Sequence, residues 1–113
     1  MKEAEGTALL LERFTEAGYR IASNVWFRED GVEVELDGWD AEARVGYEYI
    51  TAEAGDGAQF DAKTLARLEE RMHRGELHVL LVDEHEAVTR DALDAAARGF
   101  LAELVSARRA GTP

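Results

Sequence analysis

Between Val32 and Asp37 the chain alternates without a break: Val32, Val34 and Leu36 are apolar, and Glu33, Glu35 and Asp37 are acidic. A period of two sends successive side chains to opposite faces of an extended strand. The segment is therefore expected to be a strand with one apolar and one charged face. The Asp30-Gly31 pair just before it is a strong short-range signal for a tight hairpin turn. The segment before that turn, Tyr19–Arg28, is rich in aromatic and β-branched residues and reads as the partner strand. Gly38-Trp39-Asp40-Ala41-Glu42 reads as a second turn, and Arg44–Ile50 as a third strand with Val45, Tyr47 and Tyr49 on its apolar side.

Helical spacing brackets this meander. Leu9, Leu10, Phe14 and Ala17 predict a helix from Thr7 to about Ala17, stopped at Gly18. Residues 51–60, with Gly55-Asp56-Gly57, read as a loop. Asp61 caps a helix through about His73, with Leu65, Leu68 and Met72 inside and Gly75 at its end. Leu77–Val82 is a nearly continuous apolar run, as in a strand covered on both faces. Thr89 opens a last helix to about Arg108, whose stripe of Leu93, Ala96, Ala97, Phe100, Leu101, Leu104 and Val105 is the widest in the chain. The expected order is α-β-β-β-α-β-α. This is an α+β fold with a four-stranded, mostly antiparallel sheet and three helices. At 113 residues it is expected to form one domain, residues 1–113.

Register can be argued from burial, because a slip of one residue turns a whole strand inside out. Keeping Val32, Val34 and Leu36 beside Val45, Tyr47 and Tyr49 sends Asp37 and Glu48 to the opposite face together. The Asp-Gly turn then adds Trp26 and Arg28 to that polar face, with Glu33, Glu35 and Arg44.

An α-β-β-β-α-β core with one acid ending the second strand and another in the third resembles the PD-(D/E)XK, restriction-endonuclease-like superfamily. The acids are Asp37, in Glu-Leu-Asp-Gly, and Glu48, in Gly-Tyr-Glu-Tyr-Ile. The resemblance covers roughly residues 7–83 and rests mainly on element order. It implies a divalent-metal site, magnesium or manganese, held by Asp37 and Glu48 and activating water for attack on a phosphodiester. It also implies a lysine two residues after the second acid. That position is Ile50; Lys63, in Asp-Ala-Lys-Thr at the start of the next helix, is the substitute some members use. With that departure, the resemblance implies a degenerate member of the superfamily.

Charge bears on function more broadly. Lys and Arg number 13 against 24 Asp and Glu, a net charge of −11. Such a balance repels nucleic acid and anionic lipid and suits a basic protein partner. No nucleic-acid or membrane partner is expected, and a homo-oligomer is compatible with the sequence. With no cysteine, disulfides, thiolate metal sites and cysteine nucleophiles are excluded. The absence of a signal-peptide pattern points to the cytoplasm. His73, His78 and His85 match no zinc spacing. Asp83-Glu84-His85-Glu86 offers metal ligands, or a solvated loop that favours the positive end of the next helix. Trp39, in the expected turn, either anchors a partner or folds back on the sheet; Trp26, on the polar face, is the second candidate anchor. The expectation is a non-catalytic interaction module of adaptor, immunity-protein or inhibitor type, with no resident cofactor beyond a weakly held metal. The alternatives are a nuclease using Asp37, Glu48 and Lys63, or a structural or oligomeric domain.

Overall fold

The computed structural model describes residues 1–51 and 60–110. The expected order of elements is present: α1 (Glu3–Glu16), β1 (Ala22–Glu29), β2 (Val32–Asp40), β3 (Val45–Ile50), α2 (Ala62–His73), β4 (His78–Asp83) and α3 (Arg90–Ala110). The strands lie in the order β1-β2-β3-β4. β1 with β2 and β2 with β3 are antiparallel, while β4 joins β3 in parallel after the α2 crossover. The Gly55-Asp56-Gly57 loop falls outside the described residues. No helix among the described residues is long and apolar enough to cross a membrane.

The local signals act as expected at most boundaries. Asp30 and Gly31 have φ of 48° and 79°, the two positive values that a right-twisted two-residue hairpin needs. The Asp61 carboxylate accepts the Thr64 amide at 2.8 Å, and Thr89 Oγ1 accepts the Ala92 amide at 3.1 Å. Each thereby satisfies one orphan donor of its helix. α1 starts a turn earlier than its apolar spacing indicates. Glu3 and Glu5 lie in its first turn, where negative charge suits the helix dipole. Thr7 is inside the helix, its hydroxyl donating to the Glu3 carbonyl at 3.1 Å.

The expected single apolar face is wrong. Val45, Tyr47 and Tyr49 pack with Leu9, Leu10, Phe14, Leu93, Ala97 and Leu104, under α1 and α3. Val32, Val34 and Leu36 pack instead with Phe27, Trp39, Leu68, Leu77 and Val79, against α2. The sheet is therefore buried on both sides, helices α1 and α3 on one and α2 on the other. The two apolar sets of β2 and β3 serve different cores.

The switch happens at Asp37. Val25 pairs with Leu36 and Ser23 with Gly38, so Asn24 and Asp37 are opposite each other, yet that pair is missing from the ladder. Asn24 has φ of 54°. Past this point the phase of β2 is reversed. Gly38 now faces the α1 side, where an added Cβ would land on the Tyr47 ring, and Trp39 faces the α2 side. The supposed second turn is thus the end of β2. Trp39 is 5% exposed and meets Phe27 edge-on at 5.2 Å. It folds back on the sheet and is no surface anchor.

Candidate functional site

The irregularity that reverses β2 also arranges its acids. The Asp37 amide donates to Glu48 Oε1 at 2.9 Å, and the Tyr49 amide donates to Asp37 Oδ2 at 2.8 Å. Each carboxylate thus takes the place of a ladder carbonyl between β2 and β3. The shared polar face expected for the two acids is not formed: Asp37 borders the α1 side of the sheet, whereas Glu48 alternates with Tyr47 and Tyr49 of the α1-side core. What engages them is the neighbouring strand's backbone, and Glu48 is only 1% exposed. Its alternation with Tyr47 and Tyr49 directs it away from α1. No group of three or more His, Asp or Glu residues among the described residues converges as metal ligands would. With Asp37 and Glu48 directed to opposite sides of the sheet and no group of three ligands among the described residues, the pair does not fit a divalent-metal site.

The proposed basic partners are also dispersed. Ile50 is half-buried against the α2-side core. Lys63 is exposed in the first turn of α2, across the sheet from α1. His85 and Glu86 stand exposed in the turn after β4, where the His85 amide bonds Asp83 Oδ1 at 2.8 Å.

Asp37 does line an open groove of about 190 Å³ between α1 and the sheet. Ala4, Thr7, Ala8 and Leu11 form its α1 wall; Ser23, Asn24 and Tyr47 complete it. Small side chains on α1 leave the space open. Tyr47 has its pKa pushed up to about 12, first by burial and then by the Asp37 charge. Its hydroxyl therefore stays protonated at neutral pH. At the rim, Leu11 is 37% exposed. Further along the same side of the sheet stands Trp26, 54% exposed, in the middle of edge strand β1. Glu35 is its cross-strand neighbour, and the next pair, Arg28 with Glu33, is an exposed ion pair of 2.8 Å.

A second polar constellation went unread in the sequence. Glu29, at the end of β1, is bound through both oxygens by Arg44 at 2.7 and 2.8 Å, and through Oε1 by Arg71 at 2.9 Å. Hydrogen bonds from Arg44 and then Arg71 hold the Glu29 pKa down at about 2. Arg71 is buried with its guanidinium over the Phe27 ring, and its Nε and Nη1 make no hydrogen bond. The signal was its position: Arg71 follows Leu68 by three residues, so it falls on the inner stripe of α2. The arrangement pins the β1–β2 turn and the start of β3 to α2.

No match emerges when the chain is compared with protein-family models, with curated proteins or with solved structures.

Proposed function

We propose that this chain is a non-catalytic protein-binding domain that recognises a basic partner through the outer side of its β1–β2 hairpin. One observation carries the reading. A tryptophan more than half exposed lies among acids on a sheet edge, in a chain whose other tryptophan is buried. Exposing so large an apolar ring is costly, and no other aromatic among the described residues is as exposed. Its aromatic face attracts a lysine or arginine, and Glu33 and Glu35 add charge of the matching sign. Leu11 and the small-walled groove below α1 extend the same surface. The engagement of Asp37 and Glu48 by backbone amides supports a binding role over hydrolysis.

The test is a quantitative pull-down from native lysate with wild-type protein and with Trp26→Ala. The reading expects at least one protein of basic isoelectric point to be retained by the wild type. Trp26→Ala is expected to lose it about tenfold, with an unchanged melting temperature; aromatic anchors at interfaces carry losses of this order. Retention that is identical for both proteins would refute the Trp26 surface.

A further inference from the structure

The other edge of the sheet bears a different design. β4 has β3 on one side, and no strand among the described residues pairs with its outer edge. Its sequence, His-Val-Leu-Leu-Val-Asp, contains no lysine or proline, residues with which natural proteins blunt an open edge. Leu80 and Leu81, on opposite faces, are both only half-buried.

The backbone fixes what such an edge can accept. The amides of His78 and Glu84 donate to Arg44 and Ile50 at the two ends of the β3–β4 ladder, both at 2.9 Å. Parallel pairing repeats every second residue, so Leu80 and Val82 also turn their peptide groups toward β3. Val79, Leu81 and Asp83 therefore point theirs outward. In an antiparallel pair, outward groups must oppose outward groups. A two-fold axis through Leu81 satisfies this with no residue left over. Leu81 meets the Leu81 of the second copy, Val79 meets Asp83 and Leu80 meets Val82; His78 meets Glu84.

The side chains suit the same register. Leu80 and Val82 both belong to the core under α1 and α3, and in this pairing they extend that core across the axis. His78, Leu80, Val82 and Glu84 share that face by alternation. Arg108 is close enough for its charge to act on His78. Glu84 of the second copy is thus placed opposite His78, on the side of the sheet where Arg108 adds positive charge. The apolar part of α3 along this edge, Phe100 and Leu104, borders His78 and would meet its symmetry mate.

We propose that β4 is the contact of a two-fold homodimer, in which the two sheets join into one eight-stranded sheet through antiparallel pairing centred on Leu81. The surface is separate from the Trp26 side of the hairpin, at the opposite edge, and the proposal does not depend on that reading. A closed two-fold contact uses up the open edge on both copies, so assembly stops at the dimer.

The experiment uses the full chain in multi-angle light scattering across a concentration series, with disulfide trapping as a readout of register. The wild type is expected to reach twice the 12.5 kDa chain mass as concentration rises. The chain has no cysteine of its own, so each single-cysteine variant reports one position. Leu81→Cys places two thiols on the axis, on Cα atoms about 5.5 Å apart, within disulfide range. It should give a covalent dimer on mild oxidation. Val79→Cys places its thiols more than about 13 Å apart, four strand residues along, and should give none. Circular dichroism checks that both variants fold, and Glu84→Arg, which leaves the apolar contacts intact, should shift the wild-type equilibrium toward monomer. Trp26→Ala should dimerise as the wild type does. A monomer at every concentration would overturn the proposal. So would a dimer that Val79→Cys links as readily as Leu81→Cys, or one that Trp26→Ala abolishes.

Discussion

Glu29 shows how strongly one residue can be tuned by its neighbours. Two guanidinium groups donate three hydrogen bonds to it, and its pKa falls from 4.5 to about 2. A carboxyl whose folded pKa lies below its unfolded value stabilises the fold above the unfolded value and loses that effect as pH falls through the folded one. Wild type should therefore melt above Glu29→Gln at neutral pH. The gap should close as pH falls from about 4.5 to about 2. Side-chain exposure near one third screens the pair, so the gap is expected to be modest, and thermal melts of both proteins across that range measure it. A constant gap would mean that the arginines do not act on the Glu29 charge. Asp37 and Glu48 call for a different test. Both already accept backbone amides, so manganese should leave the melting temperature unchanged and the protein should not nick plasmid DNA. A metal-dependent rise in melting temperature that Asp37→Asn with Glu48→Gln removes would instead return the resemblance to a metal nuclease to the foreground.

The elements differ in how openly the sequence declares them. Some turns and caps were readable because they are local: Asp30-Gly31 needs only its own φ values, and Asp61 and Thr89 need only an amide three residues on. The α-β-β-β-α-β-α order followed from these signals. The layering did not, because alternation says that two faces differ and not which helix covers each. β2 and β3 were each apolar on one side, and nothing local said that Asn24 and Asp37 would together reverse the phase between them. That reversal buries Trp39, and a reading that stops β2 at Asp37 places this residue in a turn. In α3 the apolar stripe was legible but wider than the face that docks. Leu93, Ala97 and Leu104 are buried, Phe100 and Leu101 half-buried, and Val105 exposed. Leu93→Ala should therefore cost about 2–5 kcal/mol, the range for a fully buried leucine. Leu101→Ala should cost less than about 2 kcal/mol, since the cost scales with the contacts removed. Urea unfolding of both variants compares them directly. An equal loss would mean that α3 docks along its whole stripe.

At the scale of the molecule, net charge and its distribution act together. The excess of acids gives −11, and most arginines with a described partner spend their charge within the fold. Arg13 bonds Asp94 at 2.6 Å, Arg98 the same carboxylate at 3.0 Å, and Arg74 bonds Glu76 at 2.8 Å. Arg44 and Arg71 share Glu29, and Arg28 faces Glu33. These pairs are spread over α1, α2, α3 and the turn end of the hairpin, so they form no continuous basic track. Affinity for duplex DNA comes mainly from cations that displace counterions along successive phosphates. Here each such arginine would first have to leave a carboxylate, which would then face the phosphates. Binding to duplex DNA at physiological salt is therefore expected to be weaker than about 10⁻⁴ M, the weak end of the range for non-specific DNA-binding proteins. A gel-shift titration across salt concentrations decides the matter. A shift at micromolar protein that weakens steeply with salt would show that the ion pairs open to meet phosphate, and the basic-partner reading of the acidic hairpin would have to give way.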